Sequence, residues 1–340
     1  MSELNRQWLL AARPHGLVKE SDFEYRESPI PEIADDEVLV RNLYLSFDPA
    51  MRGWMQDRKS YLPPVAIGEP MRASCVGQVI ESRHPRFTPG DLVQGVLGWQ
   101  DYAAASSGGP MPISRIPSEF PMTLPLHVLG ITGLTAYFGV LDLGRPQAGE
   151  TVVVSAAAGA TGSVAGQVAR LQGCRVIGIA GGAEKCDWVT QEAGFDAAID
   201  YKSEDVRGRL RELCPDGIHI YFDNVGGEIL DAALTLIASG ARIVLCGGIS
   251  SYNEETPPPG PRNYLNMIAQ HARMEGFLVF DYLPRFREAL QQLGDWIRRG
   301  ELAYREDIQH GFENAPRTFL RLFEGKNIGK QLLKIADPPL

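Results

Sequence analysis

The sequence predicts an α/β protein in which a parallel sheet is wound on both faces by helices, with a second, β-rich domain in the same chain. Two observations carry this. From about Leu126 to Gly300, short apolar runs alternate with helical segments, the grammar of a parallel sheet covered on both sides. Before Leu126 the runs are short and broken by Pro and Gly, as strands joined by turns are.

Taken in order, the first domain offers the strands Glu37–Tyr44, Ala73–Glu81 and Asp91–Val96, with Pro89-Gly90-Asp91 as a turn. The second offers strand Thr151–Ser155, helix Ser163–Gln172, strand Arg175–Ala180, helix Glu184–Ala193 and strand Ala197–Asp200. Helix Ser203–Leu213, strand Ile218–Asp223, helix Glu228–Leu236 and strand Ala241–Cys246 follow. A long amphipathic helix, Arg285–Arg299, precedes a return to β character at Tyr304–Glu306, a helix at Ala315–Glu324 and a strand at Lys330–Ile335. That last strand is expected to rejoin the first domain. The expected organisation is residues 1–125 completed by 300–340, and residues 126–299 between them. Thr256–Pro261 reads as a rigid loop within the second domain.

The 340 residues are 44% hydrophobic and 22% charged, which excludes a disordered or fibrous chain. No apolar stretch approaches the length of a membrane span, and the five-residue apolar run Trp8–Ala12, flanked by Arg6 and Arg13, is too short for the central segment of a signal peptide, so a cytoplasmic protein without membrane partners is expected. A net charge of −9 without a basic cluster argues against nucleic acid. Cys75, Cys174, Cys186, Cys214 and Cys246 are far apart and odd in number, and six scattered histidines form no HxxxH or HExxH pair. Neither a disulfide framework nor a metal site is expected.

The chemistry is concentrated at Ala156-Ala157-Ala158-Gly159-Ala160-Thr161-Gly162, between the Thr151–Ser155 strand and a helix. This is GxGxxG with Ala157 in place of the first glycine. Small residues there also serve plain helix–strand packing, but a strand before and a helix after place backbone N–H groups where a pyrophosphate binds. An acid at the end of the next strand would hold the 2′-hydroxyl of NAD. Here Gly181 and Gly182 separate Glu184 from the strand and Lys185 follows it, which favours a 2′-phosphate and hence NADPH over NADH. Lys185 also suits an ordinary solvated first turn. No nucleophile elbow or Cys–His pairing is visible, and hydride transfer needs none. It needs a donor to the developing oxyanion, and Tyr252 follows the Ala241–Cys246 strand at the carboxyl end where such sheets bind ligands.

These residues resemble the zinc-independent medium-chain dehydrogenase/reductases, in the branch of prostaglandin reductases, plant 2-alkenal reductases and bacterial curcumin reductases. The likeness runs from Arg6 to Lys334. Its markers are Ser46–Gly53, Gly130–Tyr137, Ala157–Gly162, Tyr221–Gly227, Cys246–Asn253 and Asn327–Lys330. The resemblance implies a GroES-like β domain plus a Rossmann domain, a homodimer, and NADPH-dependent reduction of the C=C bond of an α,β-unsaturated ketone or aldehyde, with hydride delivered to the β-carbon. It implies that Gly159, Ala160, Thr161 and Gly162 sit under the pyrophosphate and that Lys185 and Tyr201 meet the 2′-phosphate. Asn224 and the run Cys246, Gly247, Gly248, Ile249, Ser250, Ser251 and Tyr252 would line the cofactor. Phe277, Leu278 and Val279 would hold the carboxamide through their backbone, and Asn327 would close over the nicotinamide. Tyr252 would donate to the substrate carbonyl beside the ribose 2′-hydroxyl, with solvent protonating the α-carbon, and Ala50 and Met51 would line the substrate.

Plainer roles stand beside these: Tyr201 and Asn224 could satisfy loop backbone, Asn327 could be a turn residue and Tyr252 could pack against Pro257–Pro259. An NADPH quinone oxidoreductase or a non-catalytic NADPH-binding module would share most of the same features. Two positions depart from the family pattern. Thr132 stands where Pro is frequent, and Ala50 stands where the family usually has Tyr. The missing phenol is expected to widen the pocket for bulky enones. Ala50→Tyr should therefore slow a diarylheptanoid enone relative to a short alkenal, and an unchanged rate ratio would refute the widening.

Overall fold

The computed structural model describes residues 4–108, 112–256 and 258–339, and it divides into two compact units. The first comprises Met1–Leu126 with Glu306–Leu340, and the second His127–Arg305.

In the first unit β1 (Leu4–Leu10) and β2 (Phe23–Pro29) form an antiparallel pair. β3 (Glu37–Ser46) is followed by the single turn α1 (Met51–Trp54), then by β4 (Ser74–Ser82), β5 (Leu92–Val96), β6 (Tyr102–Ser106) and β7 (Ser114–Arg115). β3 is buried along most of its length and pairs antiparallel with both β4 and β6. Its core is aromatic. The Trp99 ring lies 5.1 Å from those of Phe23 and Phe47 and 5.8 Å from that of Phe319. Offset and edge contacts of this kind add to the area that the rings bury.

The second unit opens with α2 (Ile131–Phe138), which runs on as one π-helical turn, Gly139–Gly144. Six parallel strands follow: β8 (Thr151–Ser155), β9 (Arg175–Ala180), β10 (Ala197–Asp200), β11 (Ile218–Asp223), β12 (Ile237–Leu245) and β13 (Arg273–Gly276). The connecting helices are α3 (Ala160–Leu171), α4 (Ala183–Gln191), α5 (Val206–Leu213), α6 (Gly227–Leu234) and the short α7 (Asn266–Ala269), with α8 (Phe286–Arg298) after the sheet. The sheet order is β10-β9-β8-β11-β12-β13. Counted from β8, this is 3-2-1-4-5-6, the doubly wound order, whose direction reverses between β8 and β11. Val152, Val153 and Val154 of β8 are fully buried, as a central parallel strand covered on both faces requires.

The chain then returns to the first unit with β14 (Glu306–His310), α9 (Ala315–Phe323) and β15 (Lys330–Lys334). β15 pairs parallel with β14 and antiparallel with β3, giving a sheet ordered β14-β15-β3-β4-β5-β7.

Four strands of the parallel sheet, the inner β8, β9 and β11 and the edge strand β10, fall on the expected residues, and the helix starts differ. α3 begins at Ala160 rather than Ser163, and α5 begins at Val206 rather than Ser203. The second shift has a local cause: the Asp205 carboxylate accepts N–H bonds from Arg207 (3.2 Å) and Gly208 (3.1 Å) and so caps the helix. β12 starts four residues before Ala241, β14 lies at Glu306–His310 rather than Tyr304–Glu306, and β1, β2, β6, β7 and β13 have no counterpart among the expected strands. Pro257 of the proline run lies outside the described residues. Among the described residues no helix is long and apolar enough to cross a membrane.

Candidate active site

The carboxyl ends of β8 and β9 build the first part of the site. Ala156, directly after β8, has φ 48°, a left-handed conformation that a residue with a side chain adopts only under constraint. The Ala157 N–H donates to the Ile179 carbonyl (3.0 Å) and the Gly159 N–H returns to Ala156 (2.9 Å), closing the turn. Gly159 is the N-cap of α3 and provides no side-chain cap, so Ala160, Thr161 and Gly162 form the helix's first turn. First-turn N–H groups have no intrahelical acceptor, and together with the helix dipole they suit an anion. A Cβ on Gly162 would come within 3.2 Å of Ala157 Cα, so only glycine permits this approach. Ala157, where the pattern has glycine, is accommodated from across the sheet. A Cβ on Gly178 of β9 would stand 2.8 Å from the Ala157 methyl, which therefore occupies the room that Gly178 leaves.

At the end of β9 the chain turns through Gly181 and Gly182, the latter at φ 103°, and enters α4. The Asp200 carboxylate holds this turn by accepting the Gly182 N–H (2.7 Å), with further bonds from the Lys202 N–H (3.0 Å) and the Ser203 hydroxyl (2.8 Å). The Gly182 bond is foremost in holding Asp200 below the usual carboxylate range. The Tyr201 ring is so close to Gly181 that a Cβ there would lie 2.8 Å from its hydroxyl. The structure thus brings Tyr201 and the half-buried Lys185 to one strand end. Glu184 is exposed and paired with Arg305 (3.2 Å).

The third part lies at the ends of β11 and β12. The Asp223 carboxylate is almost wholly buried. It accepts the Ser155 hydroxyl (2.9 Å), the Tyr221 hydroxyl (3.2 Å) and the N–H groups of Val225 (3.1 Å) and Gly226 (3.0 Å). Burial raises its pKa above the ordinary value, and these donors oppose the rise. Ser155 Oγ accepts the Asn224 N–H (2.8 Å) and the Ser155 carbonyl accepts Asn224 Nδ2 (2.7 Å), so the Asn224 side chain is committed to β8. The Asp223 carbonyl takes the N–H groups of Cys246 (2.9 Å) and Gly247 (3.0 Å). Burial pushes the Cys246 thiol up to about 12, which removes it as a nucleophile near neutrality.

A short 3-10 turn, Ile249–Ser251, then leads to Tyr252, whose phenol oxygen accepts the Gly248 N–H (3.1 Å). Ser250 is tied to the Val225 carbonyl through its N–H (3.2 Å) and its hydroxyl (2.6 Å). Phe277 follows β13 directly. A Cβ on Gly139, in the π-helical turn, would meet the Phe277 ring at 2.8 Å, so that glycine makes room for it. Leu278 is exposed and Val279 is buried. Thr132 donates its hydroxyl to the His127 carbonyl (2.8 Å).

In the first unit, Ala50 is half-buried at the start of α1. The preceding Asp48 is bound by the buried Lys330 ammonium and by the Ser46 hydroxyl (2.7 Å). Met51, expected to line the substrate, is instead wholly buried in this unit's hydrophobic core, because the turn of α1 directs it inward. Asn327 donates Nδ2 to the Gly329 carbonyl (3.0 Å), the turn role. Trp54, four residues beyond Ala50 and so on the same helical face, donates its indole N–H to the Tyr61 hydroxyl (3.0 Å) beneath the Arg72 guanidinium. No motif pointed to this aromatic group or to Ser155, and Asp223 lay within the Tyr221–Gly227 marker without a role assigned to it. An acid repeated at the strand end with neighbouring small residues was the available signal for Asp223.

A doubly wound sheet with an uncapped, small-residue helix start at the reversal of its winding defines a dinucleotide-binding protein. Comparisons with known proteins narrow this. Residues 6–113 match the family model described as N-terminal domain of oxidoreductase, and residues 160–297 match zinc-binding dehydrogenase. The chain is 44% identical to the NADPH-dependent curcumin reductase of Escherichia coli over 98% of its own length and 97% of that protein's. It is 42% identical to the NADP(+)-dependent 2-alkenal reductase of Nicotiana tabacum, covering 98% of each. The crystal structure of CurA from Vibrio vulnificus in complex with NADPH superposes with a TM-score of 0.92 at 44% identity, covering 98% of this chain and all of that one. The chain belongs to the medium-chain dehydrogenase/reductase family of oxidoreductases, in the branch of the curcumin, 2-alkenal and prostaglandin reductases. Among the described residues no group of three or more His, Cys, Asp or Glu is gathered that could hold a metal ion.

Asp223→Asn places an NH2 where four donors converge. Leaving buried donors unmatched should cost about 1–3 kcal/mol, read as a lower urea midpoint at unchanged slope. An unshifted midpoint would mean that these contacts contribute nothing net.

Proposed function

We propose that the protein catalyses NADPH-dependent reduction of the carbon–carbon double bond of α,β-unsaturated ketones and aldehydes. The observation that carries this reading is the meeting, at one end of a parallel sheet, of an uncapped anion-binding helix start with a loop that pins the Tyr252 phenol. The Escherichia coli and tobacco relatives, a curcumin reductase and a 2-alkenal reductase, support the substrate class. Bound NADPH supplies the hydride, which adds to the β-carbon.

The chain's own residues do the rest. The first turn of α3, Gly159 to Gly162, holds the pyrophosphate, and Lys185 with Tyr201 holds the 2′-phosphate. Asn224 and Cys246–Tyr252 line the cofactor, and the backbone of Phe277, Leu278 and Val279 meets the carboxamide. Tyr252 donates its O–H to the carbonyl oxygen as negative charge grows there, worth most in a site that excludes water. Because its oxygen already accepts the Gly248 N–H, the phenol is fixed before substrate arrives. Solvent protonates the α-carbon. Ala50 faces the substrate and Asn327 the nicotinamide.

We also propose a homodimer formed through the β13 edge of the parallel sheet. β13 is the terminal strand, and Tyr264, Leu265, Ile268, Leu278, Phe280 and Leu283, in the segments flanking it, are exposed. An open edge carrying apolar side chains invites pairing with a second copy. Light scattering should give twice the chain mass, falling to one chain mass on Ile268→Glu with Leu283→Glu. A wild-type monomer would refute the interface.

The activity is tested by following NADPH and NADH oxidation with a short alkenal, a phenyl-substituted enone, a diarylheptanoid enone and a quinone. NADPH oxidation by the enones with a saturated carbonyl product is expected, and Tyr252→Phe should lower turnover by roughly tens- to hundreds-fold without loss of fold. A quinone reduced faster than any enone would make the protein a quinone oxidoreductase. NADPH binding without turnover would make it a binding module.

A further inference from the structure

A carboxylate close behind the second strand of a doubly wound sheet ordinarily selects NAD by accepting the ribose 2′-hydroxyl, and it repels a 2′-phosphate. In this chain Gly181 and Gly182 set the first acid, Glu184, four residues beyond the strand, still close enough in charge to oppose a 2′-phosphate. Glu184 stands in the first turn of α4, next to Lys185 and two residues from the Gly182 cap, and it is largely exposed. What distinguishes it is its partner. Arg305 Nη2 lies 3.2 Å from Glu184 Oε1, although the two are far apart in sequence.

Arg305 is not a wandering surface cation, because the segment that delivers it is anchored to α3, the helix whose start receives the pyrophosphate in the reading above. The buried Gln167 side chain of α3 donates to the Ala303 carbonyl (2.8 Å) and accepts the Ala303 N–H (2.7 Å). Arg170 of the same helix donates to the Glu301 carbonyl (2.9 Å). The next residue, Tyr304, packs edge-on against the His127 ring at 6.1 Å. Three hydrogen bonds, made by the second half of α3, and a ring contact thus fix the backbone that brings one guanidinium to the first turn of α4. Exposed ion pairs add little to folding stability, so a stabilising role does not account for the Arg305–Glu184 pair itself.

We propose that Arg305 is a specificity-determining positioning residue: by pairing with Glu184 it neutralises and restrains the carboxylate that would otherwise reject a 2′-phosphate, and so permits NADPH. The inference rests on the reading of NADPH as the cofactor. Arg305 acts through Glu184 and not as a ligand of the phosphate itself.

The test is direct titration of NADPH and NADH, by fluorescence of the bound dinucleotide, into the wild-type protein and four variants. Freeing a carboxylate beside a dianionic phosphate at the protein surface should weaken NADPH about five- to tenfold in Arg305→Gln at low salt, less at high salt, while NADH changes by less than about twofold. Arg305→Lys should keep NADPH near wild type. Glu184→Gln alone should leave NADPH binding unchanged or tighten it, and adding it to Arg305→Gln should restore NADPH to within about twofold of wild type. Equal weakening of NADH and NADPH in Arg305→Gln would assign the pair to structure alone and overturn the inference. A double variant as weak as Arg305→Gln would remove Glu184 as intermediary and overturn it too, as would an unaltered NADPH affinity in Arg305→Gln. A wild-type protein that binds neither dinucleotide would refute the cofactor reading itself, whereas tight wild-type NADPH binding with any of the other failures refutes the role of Arg305 alone.

Discussion

The hydrogen bond from Ser155 to Asp223 joins the carboxyl ends of β8 and β11, the adjacent strands at which the winding of the parallel sheet reverses. Every loop of the second unit that bears a candidate cofactor contact leaves that end of the sheet, and several are tied directly to this pair. Ser155 ends the strand that feeds the candidate anion-binding turn. Asp223 gathers the following loop through Val225 and Gly226, and its carbonyl gathers the next through Cys246 and Gly247. Burying a carboxylate is costly, and the raised pKa of Asp223 records that cost. Four donors offset it, and the result is that three strand ends share one reference point.

Three inner strands, Thr151–Ser155, Arg175–Ala180 and Ile218–Asp223, could be read from the sequence to the residue because a strand buried along nearly all its length shows as a compact, mainly apolar run. The edge strand Ala197–Asp200 was legible through its short apolar run Ala197–Ile199. Other edges lack such a run. β13 reads Arg-Met-Glu-Gly and is mostly exposed, and β2 presents charged side chains to solvent, so neither offers an apolar run to recognise. Helix starts were misjudged where small residues form a first turn, since Ala160-Thr161-Gly162 has the composition of a loop while its backbone is already helical. The amphipathic α8 and α9 were legible because their apolar stripes recur at the helical period.

The site divides along the same line. Local motifs pointed to the glycine-lined turn, Lys185 and the Tyr252 loop as candidates, because those features lie within a few consecutive residues. Relations between distant segments were invisible. The methyl of Ala157 is tolerated because Gly178, on the neighbouring strand, has none, and Glu184 is offset by Arg305 from the far end of the unit. Met51 shows the converse: a motif placed it beside the substrate, and the turn of α1 sends its side chain into the core.

The position of β15 bears on the order in which the chain can fold as it emerges from the ribosome. Its strand lies between β14 and β3, inside the sheet of the first unit rather than at its margin. Until Lys330–Lys334 has been made, β3 lacks its β15 partner along Tyr44–Ser46, and the rings of Phe47 and Trp99 wait for Phe319 of α9, made only shortly before. The second unit is continuous in sequence and has no such dependence. During synthesis it can therefore complete its core first, while the segment made earliest waits longest for its last strand and needs protection from pairing elsewhere.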